Sequence, residues 1–229
     1  MLSKTKYKSI NLFMKIFKSL LLLCFVVTLY NCKNSSENDQ SEKELKVEKH
    51  TDAAGFNYET VTNDPTGLRL YTLDNGLKVY LGKNEEEPKI QTLIAVRAGS
   101  TYDPADNTGL AHYLEHMVFK GTDEIGTQDF EKESAMIQQI SDLYEEHKKE
   151  QDPEKKKEIY KKIDEISLEA SKYSIANEYD KMVGSLGAEG TNAFTSNEQT
   201  VYVNKIPSNE LDKWLTLESE RFSKLVLRL

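Results

Sequence analysis

The stretch of this 229-residue chain best equipped for chemistry is His112-Tyr113-Leu114-Glu115-His116, which holds two of the four histidines in the sequence. On a helix advancing about 100° per residue, Leu114, Met117 and Val118 fall within roughly 80° of Leu110, while Glu115, His112 and His116 gather on the opposite side. Two imidazoles one turn apart can grip a single zinc ion at about 2.0–2.1 Å. A carboxylate beside them can take a proton from a zinc-bound water whose pKa the metal has lowered towards 7. That chemistry suits hydrolysis of a polarised carbonyl. Without a metal the same pair is ordinary polar surface, so the motif alone leaves both readings open.

The flanking sequence supplies elements to position it. Thr108 is placed to cap a helix reaching Phe119 and closed by Gly121. Upstream, residues 68–73 and 77–81 alternate like strands around Asp74-Asn75-Gly76, and Asn-Gly supplies the positive φ values of a tight hairpin. A third strand is expected over residues 90–96 and a turn-rich loop over 99–106. Downstream, residues 184–190 read as a loop and residues 191–206 as strand. Ser208 then caps a helix through Leu211, Trp214, Leu217 and Phe222.

Between these lies a stretch of another kind. Residues 128–181 are dense in Lys and Glu, with Phe130, Met136, Ile140, Leu143, Ile159, Ile163 and Ile166 at helical spacing and a break at Asp152-Pro153. Two antiparallel helices with charged outer faces are predicted, forming either a solvated hairpin with one apolar seam or a partner surface.

The order His-x-x-Glu-His is the inverted zinc motif, and its setting resembles the pitrilysin/insulinase family of zinc metallopeptidases. The resemblance runs through Leu73-Asp74-Asn75-Gly76-Leu77-Lys78-Val79, through Val96-Arg97-Ala98-Gly99-Ser100 with Asp103 and Gly109-Leu110-Ala111, and through the motif as far as Phe119-Lys120-Gly121-Thr122. It ends in Gly190-Thr191-Asn192-Ala193-Phe194-Thr195 leading to Thr200-Val201-Tyr202. It implies Zn2+ as cofactor, His112 and His116 as ligands, Glu115 as general base, and peptide or unfolded protein as substrate. It also implies that Asn192, Ala193 and Phe194 lie on an edge strand pairing with the substrate backbone; from the residues alone, an ordinary edge strand is the other reading. The implied fold is α+β, a two-layer domain with helices packed on a mainly antiparallel sheet, here carrying the inserted charged helical hairpin.

Two departures follow. The family's third ligand is a glutamate on a helix beyond the Arg-Phe pair, here Arg221-Phe222, so it is expected past Leu229. Glu189, Glu198, Glu218 and Glu220 all sit in or before the wrong elements. The family also encloses substrate between two similar halves, so this chain is expected to be part of a larger enzyme, with a second homologous half on the same or a separate chain. The rival reading is an inactive, membrane-tethered peptide-binding or scaffold protein of the same fold.

Composition and the N-terminal segment bear on where such a protein works. Residues 1–31 carry five lysines and no acid, leaving 25 basic against 38 acidic residues in the remainder. An acidic body argues against a nucleic-acid partner. From Ile16 an apolar run of about fifteen residues, broken by Lys18, is short for a spanning helix and normal for a signal-peptide core. Cys32 follows it and resembles the lipidated cysteine of a bacterial lipoprotein, although Asn31 precedes it where a very small residue is usual. An ordinary secretory signal or an uncleaved anchor are the other readings, and all three take the chain out of the cytoplasm, into a bacterial cell envelope facing periplasm or exterior. The expected organisation is a signal over residues 1–31, a disordered tether over 32–57 and the folded domain over 58–229. With Cys24 inside the signal, no internal disulfide is expected.

Overall fold

The structure, a computed structural model, describes residues 45–228. The lysine-bearing apolar run, Cys32 and the first part of the expected tether lie outside the described residues. The described residues divide into two compact units, residues 45–84 and 85–228.

In the first unit, β1 (Val47–Thr51), β2 (Asn57–Val61), β3 (Arg69–Thr72) and β4 (Lys78–Leu81) form an antiparallel meander in chain order. The hairpin expected at Asp74-Asn75-Gly76 is present: Gly76 has φ of 85°, and Asn75 Oδ1 accepts from the Leu77 amide at 3.0 Å. β1 is a correction, because it lies inside the segment expected to be a disordered tether. The Asp52 carboxylate accepts from the Ala54 and Phe56 amides at 2.9 Å each, closing a turn that folds β1 onto β2 from Val47 opposite Val61 to Thr51 opposite Asn57. A composition rule overlooks such a strand because its support is cross-strand: His50 stacks on Tyr58 with ring centroids 5.1 Å apart.

The second unit has two layers. One is an antiparallel sheet of β5 (Lys89–Val96), β6 (Glu189–Thr195) and β7 (Thr200–Pro207) in the order β5-β7-β6. The helices are α1 (Leu110–Met117), α2 (Phe130–Lys149), α3 (Pro153–Ala170), α4 (Glu178–Ser185) and α5 (Leu211–Ser223). Ile90, Ile94 and Ile206 of the sheet pack with Tyr179 and Val183 of α4 and Trp214 and Leu217 of α5. Fully burying an aliphatic side chain of this size contributes about 1.5–3 kcal/mol, and Ile206 is wholly buried. The α+β class and antiparallel pairing are those expected. The segment read as strand over residues 191–206 is two strands, because Ser196 turns the chain by donating its amide to Gln199 O at 2.8 Å.

α2 and α3 are the expected charged hairpin, closed on a seam of Ile140, Ile159, Ile163 and Ala170. Asp152 caps α3 by accepting from the Glu154 amide at 2.9 Å, and Pro153 occupies the first helical position, where its missing N–H costs nothing. The insertion ends earlier than residue 181: α4 starts at Glu178, and its Tyr179 and Val183 belong to the main core. Ser208 makes no side-chain cap; a 3-10 turn, Ser208–Glu210, leads into α5 instead.

Candidate metal centre

α1 is preceded by Gly109, whose φ of 89° favours a residue without Cβ. Its first amides are satisfied from a distance. The Asp103 carboxylate accepts from Gly109 N at 2.7 Å and from Ala111 N at 2.8 Å, in place of the cap expected from Thr108. Gly121, with φ of 106°, ends the segment as expected.

The helix presents His112 and His116 to solvent with their Nε2 atoms 3.1 Å apart and ring centroids 4.8 Å apart. Two nitrogens bound to one tetrahedral zinc at 2.0–2.1 Å stand about 3.3 Å apart, so this pair is set for one ion with almost no movement. Among the described residues, Glu115 is the acid grouped with them, all donor atoms lying within 4.8 Å of one another. The donor chemistry, two imidazoles and a carboxylate, fits a zinc centre.

The core-facing side of α1 differs from the expected one. Met117 and Val118 are buried as expected, but Leu110 and Leu114 are about two-fifths exposed and Glu115 is 6% exposed. β6 and β7 pack against α1, and Glu115 faces Thr195 of β6. The buried side thus takes in Glu115 as well as Met117, a combination that a wheel drawn from apolar residues alone does not show. The buried carboxylate is not left without a partner: Thr195 Oγ1 donates to Glu115 Oε2 at 2.5 Å. Thr195 lies 3.1 Å from the Thr200 hydroxyl, which donates to Ala98 O at 3.0 Å. Nearby, burial pushes the Tyr202 hydroxyl up to about 12; Arg221 opposes that shift and Glu115 adds to it.

Asn192, Ala193 and Phe194 lie on β6, an edge of its sheet. Asn192 and Phe194 are exposed while Ala193 and Thr195 are half-buried, the period-2 alternation of a strand with one covered face. The four other glutamates considered as ligands are elsewhere engaged or outside the cluster. Glu189 pairs with Lys89 at 2.7 Å. Glu218 is buried against Arg221 and Tyr179, and Glu220 accepts from Thr122 at 3.0 Å. Glu198, in the β6–β7 turn, is not in the cluster. A second acidic group, Asp123, Glu124 and Glu220, surrounds the Lys224 ammonium at 3.9, 2.8 and 3.2 Å. Sequence reasoning misses Asp103, Thr195 and Thr200. Asp103 is remote in sequence from the amides it caps, and the strand alternation that turns Thr195 towards α1 was the available signal.

Residues 78–145 match the family described as Insulinase (Peptidase family M16). A relative named insulin-degrading enzyme homolog, from Dictyostelium discoideum, is 39% identical over 62 residues, 27% of this chain and 6% of its own length. An uncharacterized zinc protease, YmxG of Bacillus subtilis, is 33% identical over 55 residues, 24% of this chain and 13% of its own. The crystal structure of pitrilysin superposes with a TM-score of 0.45 at 18% identity, covering 80% of this chain and 14% of that one. Residues 78–145, which bear the histidine pair, are thus similar in sequence to that family. The chain matches only a small fraction of the length of these relatives.

Proposed function

We propose that this chain carries the catalytic helix and substrate strand of a zinc-dependent peptidase. The observation that carries the reading is the convergence of His112 Nε2 and His116 Nε2, 3.1 Å apart, beside a buried carboxylate. His112 and His116 would hold the zinc, with a third donor expected past Leu229. When bound, zinc supplies Lewis-acid polarisation of the scissile carbonyl and a water acidified towards neutrality. Glu115 keeps Oε2 on the Thr195 hydroxyl, which leaves Oε1 to take the proton of the attacking water and return it to the departing amine. An extended peptide adding to the outer edge of β6 along Asn192, Ala193 and Phe194 would be gripped through its backbone, so cleavage would depend weakly on side-chain identity. A second homologous half would close over it. The lysine-bearing apolar run and Cys32 support export to a bacterial cell envelope with a lipid tether at Cys32.

The test is peptide hydrolysis by the zinc-loaded full-length protein. Glu115→Gln retains zinc and loses turnover by a factor on the order of 10²–10⁴, the usual contribution of a positioned general base. Undiminished turnover in Glu115→Gln would sink the mechanism.

A further inference from the structure

We propose that Thr195 is a positioning residue that fixes the Glu115 carboxylate and ties it to the strand on which substrate would lie; this rests on the peptidase reading above. An ionised carboxylate only accepts hydrogen bonds, so the 2.5 Å contact uses the hydroxyl proton of Thr195. The Ala98 carbonyl likewise only accepts, so the Thr200 proton is committed to it at 3.0 Å. Both hydroxyl orientations are therefore set, and β-branching holds the χ1 angles of the two threonines. Their backbones are locked as well, since Thr195 and Thr200 face each other across β6 and β7.

The same corner is pinned from a third side. The Ser100 and Thr101 amides donate to Ser196 O at 3.0 Å and Asn197 O at 2.9 Å. Gly99 permits this approach, because a Cβ there would stand 2.3 Å from Ser196 O. Among the described residues Thr195 is the side chain that hydrogen-bonds the Glu115 carboxylate, so the carboxylate's alignment depends on it. Asn192, Ala193 and Phe194 immediately precede Thr195 on β6, and a peptide added along them would stiffen the strand that holds the base.

The test compares Thr195→Val and Thr195→Ser in the full-length protein by steady-state kinetics, metal content and crystal structure. Thr195→Val is expected to bind the same zinc per chain and keep KM within about twofold. Its kcat should fall roughly tenfold or more, the loss of one hydrogen bond to a charged group, with the Glu115 carboxylate displaced in the crystal. Thr195→Ser restores kcat and the carboxylate position. Wild-type kcat in Thr195→Val, an unmoved Glu115, or a serine variant as slow as the valine variant overturns the proposal. A wild type that binds zinc and cleaves nothing overturns the peptidase reading instead, and the crystals alone then decide whether Thr195 holds Glu115.

Discussion

Arg221 lies against four aromatic rings, its guanidinium carbon 4.2 Å from the Tyr179 centroid, 4.8 Å from Phe222, 5.1 Å from Tyr202 and 5.3 Å from Phe119. It is 1% exposed, and its Nε donates to Glu218 Oε2 at 3.0 Å. Removing one partner of a buried pair leaves an uncompensated charge, so Arg221→Met is expected to cost about 3–5 kcal/mol, read as a lower urea midpoint. An unchanged midpoint would show that the pair adds nothing net. The histidine pair was legible in the sequence because i, i+4 spacing places two side chains together on any helix, whatever surrounds it. Glu115 was legible as a residue but not in its burial. That depends on which side of α1 meets β6 and β7, a tertiary choice no wheel contains. Arg221 shows in the sequence only as half of an Arg-Phe landmark, since its partner Tyr179 is 42 positions away.

The elements hold the site through turns as much as through helices. Gly121 sits at φ of +106°, and a Cβ there would lie 2.1 Å from Ile125 O. Gly121→Ala therefore meets both a strained backbone and a clash with main chain. It is expected to destabilise the unit by more than about 1 kcal/mol, with a thermal midpoint several degrees lower; an unshifted midpoint contradicts that account of the turn. Local signals located the elements well where both partners are near in sequence, as at Asp152-Pro153 and at the Asn75-Gly76 hairpin. They failed where the partner is remote. Thr108 looked like the cap of α1, but Asp103 reaches both amides because the 3-10 turn Ser100–Tyr102 brings the chain back. The break between β6 and β7 is a different case: Ser196-Asn197-Glu198-Gln199 are four consecutive polar, exposed residues, a local turn signal, and pairing of Thr195 with Thr200 closes the turn.

At the scale of the whole molecule, a metal that binds only the folded site is a stabilising ligand. Zinc at a hundredfold excess over its dissociation constant is expected to raise the unfolding free energy by about 2.7 kcal/mol. The effect is lost in His112→Ala, and a denaturant titration with and without the metal measures it. An equal shift in His112→Ala would place the zinc elsewhere on this acidic chain. The α+β class was legible because strand and helix periodicities alternate clearly along residues 68–223. The division at Asn84 was not legible, since the charged turn there reads like any other connection. Whether His112 and His116 together hold one zinc is tested most directly by calorimetric titration of the metal-free full-length protein. One tight site per chain is the expected result, retained in Glu115→Gln and abolished by His112→Ala or His116→Ala. Tight binding that survives loss of either histidine would contradict it.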